Sequence, residues 1–267
     1  MCGIFGYLGE TVSYNDLINH FFKIRHRGPD NSILQQINKN LVFGFHRLSI
    51  NDISNYGNQP LYHPNDNNLL LICNGEIYNY DILKNHSVET PIKTKSKSDC
   101  EIILHLYKKF GFKKTIQMLD GVFSLILFDN SKNELYAARS PFGVRGMFIG
   151  YKDSEVFIAS EMKSISDFCD KVIPFPPSTI WNSKSIDNFE TFYDIPLQIV
   201  PDIESEILKG INHTFRNAVI KRLMSDRPIG SLLSGGLDSS LVTAILAEKV
   251  PNLKTFSIGI KGSVDLK

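Results

Sequence analysis

A cysteine follows the initiator methionine in the opening stretch MCGIFGY and precedes an apolar, strand-like run. Position alone favours an ordinary buried cysteine at the start of a first strand, because structural cysteines outnumber reactive ones. The alternative is a nucleophile, since removal of Met1 would leave a free α-amine on Cys2 beside its own thiol. The other motifs of the chain have to decide between the two.

The loop SGGLDSS at residues 234–240 is a second candidate for chemistry. Its glycines let the backbone turn sharply, and the N-terminus of a following helix would offer free N–H groups to an anion. Ser234, Ser239 and Ser240 add hydroxyl donors, and Asp238 could hold Mg²⁺ on a phosphate. A plain strand-to-helix turn with serine capping is the alternative. The GxxxxGK[ST] pattern is missing, so the loop is not a Walker A loop.

The cysteine opens a region, up to about residue 185, in which short apolar runs alternate with turn-rich segments. This pattern predicts antiparallel strands. Two stretches with helical spacing interrupt them, at residues 14–24 and 99–110, and Gly111 would end the second. We therefore expect an α+β domain at residues 1–185, with helices packed on antiparallel sheets.

The glycine-rich loop belongs to a different region. Residues 186–203 are rich in proline and polar residues and predict a linker. Beyond it, apolar residues four apart, from Ile207 to Val219, predict an amphipathic helix to about residue 224. The strand IGSLL, the loop, a helix and the strand KTFSIGI then follow in the order of a βαβ unit. Residues 204–267 are thus predicted to begin an α/β domain with a parallel sheet.

The composition fits a globular protein, since 42% of the 267 residues are hydrophobic, 21% are charged and the formal net charge is +1. These totals predict neither a nucleic-acid partner nor a membrane surface, and no apolar run approaches the about 20 residues of a membrane span. Cys2, Cys73, Cys100 and Cys169 form no CxxC pair, and the N-terminus lacks the features of a secretory signal. We expect reduced thiols and a cytoplasmic location.

Seven motifs occur in order along the first region: MCGIFG, RHRGPD, FGFHRLSI, CNGEIYNY, KSDCEII, LDGVFSLILFD and ASEMKSI. Together they resemble the class II glutamine amidotransferase domain, an N-terminal-nucleophile hydrolase. SGGLDSS resembles the pyrophosphate-binding loop of the ATP-pyrophosphatase superfamily. The whole set resembles the glutamine-hydrolysing asparagine synthetases. This resemblance implies an N-terminal-nucleophile sandwich, followed by the first βαβ unit of an ATP-pyrophosphatase-like domain.

The resemblance implies that Cys2 attacks the side-chain amide of glutamine, giving a glutamyl thioester and ammonia. If Met1 is removed, the α-amine of Cys2 can act as the base, because its ordinary pKa of about 7.7–8.0 lies close to the about 8.5 of a thiol. In this family the Asn side chain and the Gly backbone N–H of the NGE motif stabilise the oxyanion. These positions correspond to Asn74 and Gly75.

The resemblance also implies how glutamine is held. Arg47 in HRLSI resembles the arginine that binds the α-carboxylate, for which a planar guanidinium suits. Asp99 in KSDCE resembles the acid that pairs with the α-ammonium. Glu76 would lie in the same pocket, beside Asn74 and Gly75.

In the second region the resemblance implies an ATP site. Its adenine-side contacts would be Leu233 and Ile258, and the remaining contacts come from the loop itself. The loop residues are Ser234, Gly235, Gly236, Asp238, Ser239 and Ser240. ATP and Mg²⁺, the latter held in part by Asp238, would serve the synthetase half, and the glutaminase half would need no cofactor. Aspartate would be adenylated and would receive ammonia through an internal channel.

The sequence departs from the family pattern at two places. Ser140 and Gly146 stand where the family commonly has Asp and Pro. The chain also stops after the second strand of the synthetase domain, which predicts exposed apolar faces after about residue 205 unless a second chain covers them.

Three hypotheses stay open. The chain is an asparagine synthetase whose remainder is lost or separately encoded, a free-standing glutaminase, or a truncated binding module without catalysis. A homodimer is left open as well.

Overall fold

The computed structural model describes residues 1–86, 92–195, 197, 203–260 and 262. The chain divides into two compact units, Met1–Ile195 and Pro196–Lys267, here called the first and second unit. Residues 196 and 198–202 of the predicted linker lie outside the described residues.

Two six-stranded sheets form the frame of the first unit. The strands in chain order are β1 (Gly3–Leu8), β2 (Asn31–Gln36), β3 (Leu41–Arg47), β4 (Leu61–His63), β5 (Asp66–Ile77), β6 (Gly121–Asp129), β7 (Glu134–Arg139), β8 (Phe148–Lys152), β9 (Glu155–Ala159), β10 (Lys171–Pro174), β11 (Thr179–Asn182) and β12 (Glu190–Thr191). The first sheet has the order β10-β8-β9-β1-β3-β2 and the second β12-β11-β7-β6-β5-β4. Neighbouring strands in both sheets are antiparallel.

Helices cover the outer faces of the two sheets. They are α1 (Tyr14–Phe22), α2 (Tyr80–His86), α3 (Ile102–Phe110) and α4 (Phe112–Met118). Ser13 caps α1 by accepting a hydrogen bond from the Asp16 N–H. Gly111 has φ +76° and separates α3 from α4, a conformation that favours glycine.

The core of the first unit lies in three apolar layers. Phe43 and Phe45 of β3 pack against Ile72 and Ile126 between the two sheets. A second layer joins the other face of β5 and β6 to α3 and α4, and a third joins β1 to α1. The alternation of buried side chains on both faces of each sheet therefore produces a sandwich covered by helices, which confirms the predicted α+β class.

The strand register brings several predicted site residues to one end of the sandwich. Gly3 of β1 pairs with His46 of β3, so Cys2, just before β1, lies next to Arg47 at the end of β3. In the second sheet, Asn74 and Gly75 lie in β5 opposite Ser124 and Phe123 of β6.

The second unit contains α5 (Glu204–Ile220), β13 (Gly230–Leu232), α6 (Leu237–Ala247) and β14 (Lys254–Phe256). β13 and β14 are parallel and α6 connects them, which confirms the predicted βαβ order. α5 ends four residues before the predicted position, because a 3₁₀ turn at Lys221–Leu223 follows it. The buried core is small and consists of Val219, Ile245 and Leu246. None of the described helices is long and apolar enough to cross a membrane.

Candidate active site

A cavity of about 300 Å³ lies at the end of the sandwich where β1 begins and β3 ends. Six predicted residues line its wall: Cys2, Arg47, Asn74, Gly75, Glu76 and Asp99. They come from both sheets and from the turn before α3, so the fold assembles residues that are as far as 97 positions apart in the sequence.

Cys2 is held by one contact to its side chain and one to its backbone carbonyl. Its Sγ accepts a hydrogen bond from the Leu48 N–H at 3.4 Å, and Arg27 Nε donates to the Cys2 carbonyl at 2.9 Å. Arg27 is itself fixed by an ion pair of 3.0 Å with Glu161. Burial raises the pKa of the Cys2 thiol, so the sulfur is protonated at neutral pH and needs a base. Burial also lowers the pKa of the N-terminal amine that Met1 carries, which favours a neutral amine at this end of the chain.

Asn74 and Gly75 offer two hydrogen-bond donors at the cavity. Asn74 is 2% exposed, and its Nδ2 is buried with no hydrogen-bond partner among the described residues. A side chain cannot be accommodated at position 75, because a Cβ there would lie 2.5 Å from the Val122 carbonyl oxygen. A buried donor without a partner costs about 1–3 kcal/mol and suits a site in which a ligand supplies the acceptor.

Arg47 places a buried positive charge in the wall. Its guanidinium donates to the Ser54 carbonyl and to Asn58 Oδ1, both at 2.7 Å, and to the Asp52 carbonyl. These hydrogen-bond partners are neutral. Burial lowers the pKa of Arg47, and the negative charge of the nearby Asp52 opposes this shift. The site is therefore suited to an anionic group.

Asp99 places a buried acid in the same cavity. Its carboxylate accepts hydrogen bonds from the Ile77 N–H at 2.6 Å and from Asn51 Nδ2 at 3.2 Å. Burial raises the pKa of Asp99 to about 6, so the group is anionic at neutral pH. An anion in an enclosed wall favours a cationic partner, and an α-ammonium group fits this requirement.

Glu76 is paired with Arg145, whose Nη2 contacts a Glu76 oxygen. Arg145 also lines the cavity, and its Nε is buried without a hydrogen-bond partner among the residues described. No role was predicted for Arg145, Arg27 or Asn51. Arg27 lies in the motif RHRGPD and Arg145 stands next to Gly146, a departure from the family pattern, whereas no quoted motif includes Asn51.

The two departures from the family pattern lie outside this wall. Ser140 and Gly146 do not line the cavity. Ser140 is buried, its N–H donates to the Phe123 carbonyl at 2.9 Å, and its hydroxyl has no partner in the part of the chain that is described. Neither residue therefore contributes a group to the cavity wall, although Arg145, next to Gly146, does.

The loop after β13 has the geometry of an open cradle. Gly235 has φ +85°, and nothing lies within 4 Å of a Cβ built on it. Ser234 Oγ and Ser239 Oγ lie 3.0 Å apart beside the N-terminus of α6, and Asp238 lies in the first turn of that helix. Leu233 and Ile258 follow the carboxyl ends of β13 and β14, the edge at which parallel sheets bind ligands.

The predicted ATP residues lie on the loop, the first turn of α6 and the end of β14, and most of them are exposed. Gly236 is exposed in the loop, Ser240 is exposed in the first turn of α6, and Ile258 is exposed, whereas Leu233 and Ser239 are half-buried. Among the described residues, no group of three or more His, Cys, Asp or Glu side chains is arranged to hold a metal ion.

Comparison with known families gives two matches. A family described as "Glutamine amidotransferase domain" matches residues 1–182, and one described as "Asparagine synthase" matches residues 210–267. Curated relatives match over the whole chain. "Asparagine synthetase [glutamine-hydrolyzing] 1" of Arabidopsis thaliana is 40% identical, and the match covers 47% of that relative's length. The "Probable asparagine synthetase [glutamine-hydrolyzing]" of Dictyostelium discoideum is 38% identical, and the match covers 52% of its length. The chain spans about half the length of these relatives.

Solved structures resemble the fold at low sequence identity. The glutamine phosphoribosylpyrophosphate amidotransferase from B. subtilis, complexed with ADP and GMP, is 20% identical with a TM-score of 0.59. The alignment covers 96% of this chain and 65% of that one. A structure titled as the allosteric regulatory enzyme of purine biosynthesis is 19% identical with a TM-score of 0.60, covering 99% and 69% of the two chains. Both likenesses support the α+β sandwich fold.

Proposed function

The chain belongs to the glutamine amidotransferase domain family through residues 1–182, and from this premise we propose that it hydrolyses the side-chain amide of glutamine at Cys2. One observation carries the proposal. A thiol, an amide whose Nδ2 is buried without a partner among the described residues, a buried cation and a buried acid line a single cavity. They belong to Cys2, Asn74, Arg47 and Asp99. Each corresponds to one group of a bound glutamine: the side-chain carbonyl carbon, its oxygen, the α-carboxylate and the α-ammonium.

The reaction begins once Met1 has been removed. The freed amine of Cys2 takes the thiol proton, directly or through a water, and the sulfur attacks the amide carbon of glutamine. Asn74 Nδ2 and the Gly75 N–H donate to the oxygen as it becomes negative, and loss of one such donor typically costs about 3–4 kcal/mol. The amine returns its proton to the leaving nitrogen, and ammonia departs. Water then hydrolyses the thioester, so that glutamine and water give glutamate and ammonia.

The remaining residues orient the substrate and the nucleophile. Arg47 binds the α-carboxylate, and Asp99, with Glu76 nearby, binds the α-ammonium. Arg27 holds the Cys2 carbonyl at 2.9 Å and so fixes the direction of the thiol. Fixing the thiol and the substrate in this way increases the rate of attack on the amide, because a reactant misplaced by about 1 Å can react 10²-fold more slowly.

We further propose that the ammonia serves glutamine-dependent asparagine synthesis. The match of residues 210–267 to the asparagine synthase family and the names of the curated relatives support this proposal. ATP would bind the loop at residues 234–240, with its adenine near Leu233 and Ile258, and aspartate would be the acceptor. The exposed hydroxyls and the left-handed Gly235 fit a phosphate chain, and Asp238 would hold Mg²⁺ against it. Mg²⁺, when bound, neutralises charge on the phosphate oxygens.

The domain limits and the location are proposed on the same basis. The glutaminase domain would occupy residues 1–185 and the synthetase segment residues 204–267, with a linker between them. A cytoplasmic location agrees with Cys2, Cys73, Cys100 and Cys169 all being free thiols.

Ammonia release from glutamine tests the first proposal. Purified protein with an N-terminal Cys2, verified by mass spectrometry, should release ammonia and glutamate in equal amounts, and Cys2→Ala should release none. Cys169→Ala is the matched control, because Cys169 is also free but does not line the cavity. Quantitative retention of Met1, or full activity in Cys2→Ala, would contradict the proposal.

Pyrophosphate release tests the second proposal. Aspartate-dependent conversion of ATP to AMP and pyrophosphate would support asparagine synthesis. Glutamine hydrolysis without any such turnover in the whole protein would favour a free-standing glutaminase instead.

A further inference from the structure

The oxyanion residues lie on a strand that is only partly paired. On one side β5 is paired with β6 along its length, but on the other side β4 reaches only as far as Leu71. The backbone groups of alternate β5 residues beyond Leu71 point to this open edge, because N–H and C=O directions alternate along a strand. They belong to Cys73, Gly75 and Ile77, and the middle one supplies a proposed oxyanion donor.

A glutamine side chain takes the place of the absent strand next to this donor. The Cys73 N–H donates to Gln59 Oε1 at 2.6 Å, and Gln59 Nε2 donates to the Cys73 carbonyl at 3.1 Å. The carboxamide thus exchanges the same two hydrogen bonds that a residue of a paired strand would exchange. Gln59 is 6% exposed and itself lines the cavity.

A second contact along the open edge of β5 lies on the other side of Gly75. The Ile77 N–H donates to Asp99 at 2.6 Å. Gln59 therefore fixes the strand on one side of Gly75, and Asp99 fixes it on the other. The Gly75 N–H lies between these two anchors and points to the same edge. Gln59 also holds the carbonyl of the peptide that joins Cys73 to Asn74, so both oxyanion donors depend on its geometry.

We propose that Gln59 is a positioning residue of the oxyanion hole, acting through the backbone of Cys73 on the Asn74 amide and the Gly75 N–H. This inference rests on the proposed hydrolysis of glutamine. It predicts that loss of the Gln59 carboxamide affects the transition state and not the binding of the α-amino-acid part of glutamine, which Arg47 and Asp99 perform.

Gln59→Met tests the proposal, because methionine keeps the length of the side chain and removes both hydrogen bonds. We expect kcat for glutamine hydrolysis to fall on the order of 10- to 100-fold, as for a misplaced oxyanion donor, with KM unchanged. Inactivation by 6-diazo-5-oxo-L-norleucine, whose ketone oxygen would occupy the same site, should slow by the same factor. Labelling of Cys2 by 4,4′-dithiodipyridine, followed by mass spectrometry, should keep its rate because it uses no oxyanion hole.

A second variant covers the outcome in which Gln59→Met does not fold. Gln59→Glu preserves the shape, but its carboxylate cannot donate to the Cys73 carbonyl, whereas the protonated acid can. The ratio of its kcat to that of the wild type should therefore rise as the pH is lowered from 8 towards 5.5. Gln35→Met is the matched control, since Gln35 also donates a side-chain hydrogen bond, to Tyr62 at 2.8 Å, but does not line the cavity.

The outcomes separate the two proposals. A wild type that releases no ammonia from glutamine overturns the proposed function and this inference with it. The inference alone is overturned if the wild type is active and folded Gln59 variants have an unchanged kcat. It is also overturned if, in these variants, KM rises and labelling of Cys2 slows as much as kcat falls.

Discussion

The two units place their functional groups in opposite environments. In the first unit, Asn74, Arg47 and Asp99 are buried around a cavity, and sheet or turn contacts fix each of them. In the second unit, the serine hydroxyls and Asp238 lie at residues 234–240, on the mostly exposed loop and first turn of α6 that are here called the open loop. The difference teaches that a site for breaking an amide needs desolvated, fixed donors, whereas a phosphate cradle can be built from backbone and hydroxyl groups at a helix N-terminus.

The same contrast holds for the apolar side chains. Leu125 in β6 is completely buried, whereas Ile211, in the middle of the apolar stripe of α5, is 60% exposed. Ile211 thus shows the exposed apolar face that was expected after about residue 205, whereas Leu125 lies in a closed core.

Removing the proposed oxyanion donor, the side-chain amide of Asn74, should give the largest effect and sharpen the contrast between the two sites. Asn74→Ala is expected to lower kcat for glutamine hydrolysis about 10²–10³-fold, because the transition state loses a buried donor. Ser239→Ala, in the open loop, should leave this kcat unchanged. Steady-state ammonia release measures both, and a loss below about tenfold in Asn74→Ala would contradict the assignment of the oxyanion hole.

A pair of leucine truncations tests the contrast in packing. Leu125→Ala should reduce the free energy of unfolding by about 2–5 kcal/mol, since it opens a cavity in a closed core. Leu208→Ala, at a position of α5 that is 58% exposed, should change it by no more than about 0.5 kcal/mol. Urea unfolding followed by circular dichroism measures both values. Equal losses would mean that the exposed side of α5 is covered in solution.

The buried acid predicts a pH dependence that the exposed loop lacks. Burial raises the pKa of Asp99 to about 6, so the carboxylate is present above that pH and is lost as the pH falls through it. KM for glutamine should therefore rise about tenfold between pH 7 and pH 5, following the anionic fraction of a group with this pKa. Asp99→Asn should have a high KM that is independent of pH in this range. A wild-type KM that stays flat to pH 5 would exclude Asp99 as the partner of the ammonium.

The smallest effect on hydrolysis is expected from the acid of the open loop. Asp238→Asn should leave kcat and KM for glutamine unchanged. It should reduce the increase in Tm that Mg²⁺-ATP gives the wild type, because a ligand that binds more weakly stabilises the folded state less at the same concentration. Differential scanning fluorimetry measures this increase. An equal increase in both proteins would show that Asp238 does not contact the metal–nucleotide complex.

The sequence predicted those parts of the site that lie in compact motifs. Cys2 and the NGE residues belong to contiguous strings, and the structure brings them to one cavity with Arg47 and Asp99. Gln59 and Asn51 were not predicted, because their partners Cys73 and Asp99 lie 14 and 48 positions away and no local pattern encodes such contacts.

The helices, like the site residues, were predicted where the sequence carries a clear local pattern. The helix at residues 99–110 was predicted from its spacing and its glycine stop, and the structure contains a 3₁₀ turn at Asp99–Glu101 followed by α3. The seven-residue α4 was not predicted, because two turns are too short for a periodic signal. The end of α5 was placed four residues too late, since a 3₁₀ turn continues the same helical spacing.

The Nδ2 of Asn74, which has no partner in the part of the chain that the structure describes, makes stability and activity compete in any attempt to improve this protein. A donor buried without an acceptor costs the folded state about 1–3 kcal/mol, and an apolar side chain of similar size would avoid that cost. Directed evolution for heat resistance alone would thus favour the loss of the amide. A screen that also requires ammonia release would retain it, and stabilising substitutions would then have to come from elsewhere in the fold.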